Sequence, residues 1–230
     1  MIVVTLVKTW TPNRLLVKHL DATIARLAKH WVLVNAVLPP SNPMVVLSDT
    51  DFAAFDALPE ALAELRKGLR RELVSRRLVV AELRLAKRAL KKRLWWFRQV
   101  VRGMWSGSVW LYGLPTVPNV SDGEDVFLDP MREASFLWLA MGDLAPVTRD
   151  GYGASNFATE VEHVAGLWRE FRRAELSVRL ARAELAILQT HSAAAVTAYG
   201  HAARGRLHPG DPLMGTIPAL WPRRKAVESL

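Results

Sequence analysis

The chain of 230 residues contains no cysteine. This absence excludes disulfides, thiolate metal sites and cysteine nucleophiles, and it leaves the redox compartment undetermined. Long uncharged apolar runs are missing too, since no stretch reaches the roughly 18 residues that a membrane helix needs. We therefore expect no transmembrane segment.

The motifs of common enzyme classes are also missing. The sequence has no HExxH pair, no Gly-x-Ser-x-Gly elbow and no compact group of Asp, Glu and His. Gly151-Tyr152-Gly153 lacks the lysine and the spacing of a phosphate-binding loop. Nothing combines a nucleophile, a base and an oxyanion site, so we expect a non-enzymatic protein with no catalytic residue, metal ligand or cofactor.

The N-terminus is apolar but does not resemble a signal peptide. Residues 1–7 form an apolar run that Lys8 interrupts, with no basic region before it and no small-residue cleavage site after it. We expect a short extended arm over residues 1–12. The compartment stays unknown, with the cytoplasm as the default expectation.

An internal repeat is the strongest feature that the sequence does contain. A shift of 102 positions keeps Arg102-Gly103 in register with Arg204-Gly205. A helix start signal, an Arg-Gly stop and a Pro-rich exit follow in the same order in both copies. The identical positions are Leu65, Arg70, Arg71, Ser75, Arg77, Leu78, Ala81, Glu82 and Leu83, which fall on Leu167, Arg172, Arg173, Ser177, Arg179, Leu180, Ala183, Glu184 and Leu185.

Each copy is predicted to hold a short helix and a long helix. The short helices are expected at about 13–36 and 129–142, and the long ones at about 51–102 and 155–204. Asp51 and Ser155 or Asn156 suit the N-caps, and Gly103 and Gly205 suit left-handed residues that end helices. Pro59 is tolerable only in a first turn, so the first long helix is expected to begin or kink near Leu58.

The resulting expectation is an all-α fold. It is an elongated four-helix bundle of two tandem helical-hairpin units, with an extended N-terminal arm and Pro-rich exits. The expected divisions are the arm 1–12, unit one 13–118, unit two 119–222 and a tail 223–230. Long helices of about 45–50 residues would measure about 70–75 Å, which exceeds the width of a compact globule of this size.

Both long helices carry an apolar seam typical of a bundle or coiled coil. In the first, alternating steps of three and four hold if Arg76 and Lys87 occupy seam positions. The seam residues are Leu58, Leu62, Leu65, Leu69, Leu73, Val80, Leu83, Leu90, Leu94, Phe97, Val101 and Met104. In the second they are Val164, Leu167, Phe171, Ala174, Val178, Ala181, Leu185, Leu188, Val196 and Tyr199.

Positive charge is concentrated on the first long helix. Residues 60–102 hold fourteen basic and four acidic residues, whereas residues 110–150 hold two basic and seven acidic ones. Three interpretations stay open: a solvated face, pairing with acidic segments of the same or a neighbouring chain, and nucleic-acid binding. The basic patch consists of Arg66, Lys67, Arg70, Arg71, Arg84, Arg88, Lys91, Lys92 and Arg93.

Several of these features together resemble a broad set of uncharacterised bacterial tandem helical-hairpin proteins. They are Arg102-Gly103, the Leu114-Pro115-x-x-Pro118 exit, the Ser121-Asp122-Gly123-Glu124 turn and the two helix starts Asp51-Phe52 and Asn156-Phe157. The resemblance covers about residues 45–222 and implies a helical-hairpin fold with no assigned activity. The N-terminal arm and the strongly basic first long helix depart from that pattern.

The preferred functional hypothesis is a structural subunit that assembles with copies of itself through protein–protein contacts. An exposed apolar arm can add to a neighbour's surface. The expected interface residues are Ile2, Val3, Val4, Leu6, Trp10 and Trp221. The alternative is a nucleic-acid-binding module that uses the basic helix 60–102.

Truncation of residues 1–8 tests the role of the arm. If the arm joins subunits, the truncated protein stays helical by circular dichroism but has a smaller molar mass by light scattering at the same concentration. A full-length monomer at tens of micromolar, together with unfolding of the truncated protein, would place the arm in the chain's own core instead.

Overall fold

The computed structural model describes residues 19–47 and 50–218. Within these ranges the chain forms α-helices and short 3₁₀ turns but no strand, so the expected all-α class is confirmed. The helices are α1 (Leu20–Val37), α2 (Phe52–Asp56), α3 (Leu58–Met104), α4 (Glu124–Ala140), α5 (Ala154–Arg206) and α6 (Pro212–Gly215). The 3₁₀ turns are Val109–Leu111 and Gly142–Leu144.

The start of the first long helix follows from its capping residues. Asp51 caps α2, since its carboxylate accepts a hydrogen bond of 2.8 Å from the amide of Ala54. The chain then breaks at Ala57, and α3 begins at Leu58 with Pro59 in its first turn, as expected. The predicted N-caps Ser155 and Asn156 lie inside α5, in its first turn, because the helix begins at Ala154; the Asn156 side chain accepts a hydrogen bond of 3.1 Å from the amide of Gly153.

The second short helix differs from its predicted bounds of 129–142. It begins at Glu124 and contains Pro130 in its interior. Proline cannot donate to the carbonyl four residues earlier, which belongs to Val126. Val126 is 65% exposed, so the lost bond falls on the solvent side of the helix, where water can replace it. The helix therefore continues through Pro130 and begins five residues before its predicted start.

The predicted role of two glycines in ending the long helices is wrong. Gly103 and Gly205 lie inside α3 and α5, which end one residue later at Met104 and Arg206. Beyond the ends of these two helices, the left-handed residues are Gly107, with φ 83°, and Gly210, with φ 97°. They turn the chain a few residues beyond each helix end, where no helical bonds constrain the backbone.

The described residues form two compact units: those up to residue 70 together with those from residue 180 onward, and residues 71–179. Each long helix contributes residues to both. This division groups residues by proximity, whereas the expected units 13–118 and 119–222 follow the order of elements along the chain.

The core of the first unit is built around Trp31 of α1. Its indole ring lies 5.1 Å from the ring of Phe55 and 5.5 Å from the ring of Tyr199. Phe55 lies in α2, directly before α3, and Tyr199 lies in the C-terminal part of α5. All three side chains are fully buried, and aromatic pairs at these distances add to the stabilisation from burial alone.

A buried histidine connects the C-terminal segment to this core. His30 Nδ1 lies 2.8 Å from the hydroxyl of Tyr199, and His30 Nε2 lies 3.2 Å from the carbonyl of Leu213 and from Thr216 Oγ1. A carbonyl only accepts, so we assign the proton to Nε2, and Nδ1 then accepts from the Tyr199 hydroxyl. The imidazole thus links α1, α5 and α6.

The core of the second unit is built around Trp138 of α4. Its ring stacks on Phe97 of α3 at 4.4 Å and lies 5.4 Å from Phe157 of α5. Its indole N–H donates to the carbonyl of Pro146 at 3.0 Å, which satisfies the buried polar atom. In each unit, therefore, the tryptophan of a short helix contacts two aromatic rings. One ring lies near the start of one long helix, and the other lies in the C-terminal part of the second long helix.

The two buried tyrosines predict how stability depends on pH. Burial raises the pKa of Tyr199, and burial together with a hydrogen bond of 2.9 Å to Glu160 raises the pKa of Tyr152. Above about pH 10, the ordinary tyrosine pKa, the unfolded chain releases protons that the folded chain keeps. The stabilisation is present in full below that pH, and the free energy of unfolding falls as pH rises above it.

Alkaline titration monitored by tyrosinate absorbance and circular dichroism checks this expectation. Ionisation of Tyr152 and Tyr199 should coincide with the loss of helix, and Tyr199→Phe should remove part of that late signal. Complete ionisation of all tyrosines in a fully helical protein would contradict the assignment.

Candidate interaction surfaces on the long helices

The seam of α3 is buried at its ends but not in its middle. Leu58 and Leu62 are buried in the first unit, and Leu83, Leu90, Leu94, Phe97 and Val101 in the second. The central seam residues Leu65, Leu69, Leu73 and Val80 are only half-buried and belong to neither core. Met104, expected in the seam, is exposed. The middle of α3 therefore lacks the cover that its ends receive.

Lys87 occupies a seam position, as the spacing required, and it is 3% exposed. Its ammonium donates to the carbonyl of Asp122 at 2.7 Å and lies 4.5 Å and 5.1 Å from the ring centres of Phe127 and Trp168. Burial lowers the pKa of Lys87, and the charge of Asp122 opposes that shift. One carbonyl and two aromatic faces thus replace much of the water that the cation loses.

Arg76 fills the other gap in the seam. It forms an ion pair of 3.1 Å with Glu175 of α5, and its guanidinium lies 5.6 Å from the ring centre of Phe171. A planar guanidinium can donate to a carboxylate and stack on an aromatic ring together. Arg76 therefore joins α3 to α5 within the second unit where apolar cover is thin.

Both long helices expose a stripe of apolar side chains that the seam does not include. We define the α3 stripe as Val74, Leu78, Ala81 and Leu85, and the α5 stripe as Leu176, Leu180, Ala183 and Ile187. The large members of the two stripes are 54–70% exposed. A shift of 102 positions superimposes one stripe on the other, residue for residue. The sequence already contained a sign of the stripes. Leu78 and Leu180 are identical in the repeat, as are Ala81 and Ala183, although neither pair belongs to a predicted seam.

The basic patch does not form one site. Arg66 pairs with Asp21 and Lys67 with Glu64, both in the first unit. In the second unit Lys91 donates to Asn119 at 3.4 Å, and Arg93 lies 4.0 Å from the ring centre of Tyr152. The patch members without an ion pair, hydrogen bond or aromatic-ring contact to the residues that the structure describes are Arg70, Arg71, Arg84, Arg88 and Lys92.

The predicted acidic segment neutralises little of the basic helix in this chain. Glu124 pairs at 2.8 Å with Arg172 of α5. Asp122 accepts from the amide of Asn119 and, through its carbonyl, from Lys87. Across residues 19–47 and 50–218, two hydrogen bonds join helix 60–102 to the acidic segment 110–150, from Lys87 to the Asp122 carbonyl and from Lys91 to Asn119, and neither acceptor is a carboxylate.

An exposed tryptophan lies among the unpaired cations of the second unit. Trp95 is 56% exposed and lines a depression of about 360 Å³ with Arg88, Lys91, Lys92 and Val120. These α3 residues recur at helical spacing on one face. Sequence reasoning placed the cations but did not separate Trp95 from the buried aromatics, because the seam alone does not show which way Trp95 and Trp96 point.

The expected interface residues Ile2, Val3, Val4, Leu6, Trp10 and Trp221 lie outside the described residues. Within those described, no three His, Asp or Glu side chains are grouped to hold a metal ion. None of the helices there is both long and apolar enough to cross a membrane.

Comparison of the chain with family models, curated proteins and solved structures gives no match. The resemblance to tandem helical-hairpin proteins therefore stays a prediction.

Proposed function

We propose that this protein is a structural subunit that assembles with copies of itself, built from two tandem helical hairpins in a four-helix bundle. The hairpins are α1 with α3 and α4 with α5. A hydrogen bond of 2.9 Å closes a short loop before α2 and another before α5. The amide of Val46 donates to the carbonyl of Thr50 in the first loop, and the amide of Thr148 donates to the carbonyl of Tyr152 in the second. Corresponding residues of the two loops are 102 positions apart. Trp31 contacts Phe55 and Tyr199, and Trp138 contacts the residues at the repeat-equivalent positions, Phe157 and Phe97.

The observation that carries the assembly proposal is the pair of exposed apolar stripes. Single exposed apolar residues are ordinary on a protein surface, but rows at helical spacing mark contact surfaces. Each stripe places three large apolar side chains and one alanine on one helix face. Moreover, the stripes lie in the part of each helix where the seam is least buried, so the chain's own helices cover little apolar surface there.

The terminal segments remain a second proposed contact. Ile2, Val3, Val4 and Leu6 form an apolar run too short for a helix seam, and a neighbouring chain can cover it. The truncation experiment above separates this contact from the stripes, because it leaves α3 and α5 unchanged.

Replacing Leu78 and Leu180 together by Gln tests the stripe proposal. The wild-type mass by light scattering should rise with concentration, and the double variant should dissociate at least about tenfold more readily. The reason is that burying one Leu contributes about 1.5–3 kcal/mol, and 1.4 kcal/mol is a factor of ten.

The control is Val109→Gln combined with Val147→Gln, since both valines are exposed outside the long helices. The control should associate like the wild type. A wild-type monomer at every concentration would reject self-assembly, and equal association of all three proteins would reject the stripes as its surface.

A second function, nucleic-acid binding, is favoured by the depression at Trp95. Exposed aromatic rings stack on unpaired bases, and neighbouring cations bind phosphates. Arg88, Lys92 and Trp95 supply both groups within two helical turns. This arrangement suits a single strand, whose bases are free to stack, better than a duplex.

Binding of a fluorescent oligothymidylate, followed by anisotropy, tests the second function. Trp95→Ala should weaken binding about tenfold, in line with about 1–3 kcal/mol per stacked base. Lys92→Gln should weaken binding and flatten its salt dependence. Lys67→Gln is the matched control, because it removes the same charge at an ion pair in the first unit. Equal effects of Lys92→Gln and Lys67→Gln, with none from Trp95→Ala, would leave only non-specific attraction.

A further inference from the structure

Cations recur on one face of α3 at a regular helical interval. Between residues 84 and 102, alternating steps of four and three residues keep the side chains within about a quarter of the helix circumference. Five of the six positions are basic, and the sixth is the exposed Trp95. We name these six positions the α3 cationic row; they are Arg84, Arg88, Lys91, Trp95, Arg98 and Arg102.

The row has no carboxylate partner among the residues that the structure describes. Lys91 donates to the neutral side chain of Asn119, and the other four cations form neither an ion pair nor a hydrogen bond there. Like charges one turn apart destabilise a helix. Burial and the neighbouring charge of Arg102 both lower the pKa of Arg98. An anion from outside the chain would offset this repulsion along the row.

The repeat shows that the fold does not require these cations. In α5, small neutral side chains occupy the positions equivalent to the first five residues of the row, and the helix continues through all of them. One of them, Ala193, belongs to the core of the first unit. The row is therefore a property of α3 alone. The five α5 residues are Ala186, Thr190, Ala193, Thr197 and Gly200.

Open space lies on two sides of Trp95. Trp95 and Arg88 line two depressions, of about 360 Å³ and about 830 Å³. Val120 lines the first and Thr148 the second, so the depressions lie toward different neighbouring segments. An exposed indole ring is a surface on which an unpaired base stacks, and cations one turn away bind the adjoining phosphates.

The length of the row suits a short stretch of single strand. Its 18-residue span corresponds to about 27 Å of helix. A stacked strand rises about 3.4 Å per nucleotide, so the row matches about eight nucleotides. This length lies within the range of about 4–16 nucleotides that single-strand binding folds cover.

We propose that single-stranded nucleic acid binds along the α3 cationic row, with its phosphates on the five cations and one base on Trp95. This inference rests on the second proposed function, nucleic-acid binding, and extends its site from the depression at Trp95 to both ends of the row. A duplex fits less well, because its paired bases are not free to stack on Trp95.

An anionic membrane also fits less well. Helices that lie on a membrane carry a face of several large apolar side chains beside their cations. The row contains one large ring and no aliphatic side chain. On the neighbouring face, the seven-residue spacing of Leu78 and Leu85 continues into Lys92, so the α3 stripe and Trp95 do not form one apolar face.

Charge removal at the two ends of the row tests its extent. Arg84→Gln and Arg102→Gln should each weaken binding of a fluorescent oligothymidylate of about twelve nucleotides, measured by anisotropy, about fivefold at roughly 0.1 M salt. Each should also reduce the salt slope by about 0.7, the value for one phosphate contact on a single strand. Arg84→Lys should keep the wild-type slope. Neither Arg84 nor Arg102 lines a depression at Trp95, so a site confined there does not predict these losses.

Glu82→Gln is the matched control. Glu82 is exposed, has no ion pair among the described residues and lies near Arg84 in the chain but on nearly the opposite side of α3. Its neutralisation changes the net charge by one unit, as Arg84→Gln does. Binding along the row predicts less than about a twofold change for Glu82→Gln, because the intervening salt solution screens its charge. Long-range attraction alone predicts a strengthening as large as the weakening in Arg84→Gln.

The variants should remain as helical as the wild type by circular dichroism, since α5 is helical with Ala186 at the position of Arg84. A wild-type protein that does not bind the oligothymidylate rejects nucleic-acid binding and the row together. Loss of binding in Trp95→Ala, with wild-type affinity in Arg84→Gln and Arg102→Gln, rejects the row and leaves the depression as the site. Tighter binding to a duplex of equal length would overturn the single strand as the occupant. Equal dependence on Arg84 and Arg102 for binding to vesicles of phosphatidylcholine and phosphatidylserine would overturn it as well.

Discussion

A mismatch in helix length governs this structure. The long helices have 47 and 53 residues, whereas α1 and α4 have 18 and 17. At 1.5 Å per residue the long helices extend over about 70–80 Å, and the short ones over less than 30 Å. A short helix therefore covers only part of an apolar seam, and burial concentrates where α1 and α4 lie. Leu69 and Leu73, which belong to neither core, stay half-buried, and this part of α3 keeps apolar groups in contact with solvent.

Each core compensates for its small size with large rings, although the buried indole N–H of Trp31 has no hydrogen-bond partner within residues 19–47 and 50–218. Trp31 and Trp138 bury far more apolar surface than leucines would, and the indole of Trp138 finds a carbonyl acceptor. Lys87 extends the same principle to a charge, since the Asp122 carbonyl and two aromatic faces surround its ammonium. Desolvation still lowers its pKa, so the protonated form is held against an energetic cost. The seam thus tolerates a cation where aromatic residues from α4 and α5 converge.

The sequence predicted the helical class, the order of short and long helices and the seam positions of Arg76 and Lys87, because these follow from local periodicity. It did not predict that Gly103 and Gly205 lie inside helices, since a glycine also tolerates helical backbone when neighbouring turns continue it. Which residues share a unit was hidden as well, because the start of one long helix packs with the end of the other. The stripes could not be predicted for a related reason. Periodicity identifies more than one apolar row on a long helix, and only burial shows that the row containing Leu78 and Leu85 stays exposed.

Added salt affects the two proposed functions in opposite directions, because the positive charge of the chain opposes self-assembly and promotes nucleic-acid binding. With a net charge of +9, two copies of the chain repel each other at long range, and salt screens that repulsion first. Apolar contacts between the exposed stripes of two copies act over a few ångströms, and salt does not screen them as it screens charge repulsion across a Debye length of about 8–10 Å. Moderate salt therefore favours self-assembly over a highly charged monomer. Nucleic-acid binding at Trp95 draws affinity from releasing counterions, so added salt weakens it steeply. The same excess of basic residues that opposes assembly at low ionic strength promotes phosphate binding there, and the two functions would dominate under different conditions.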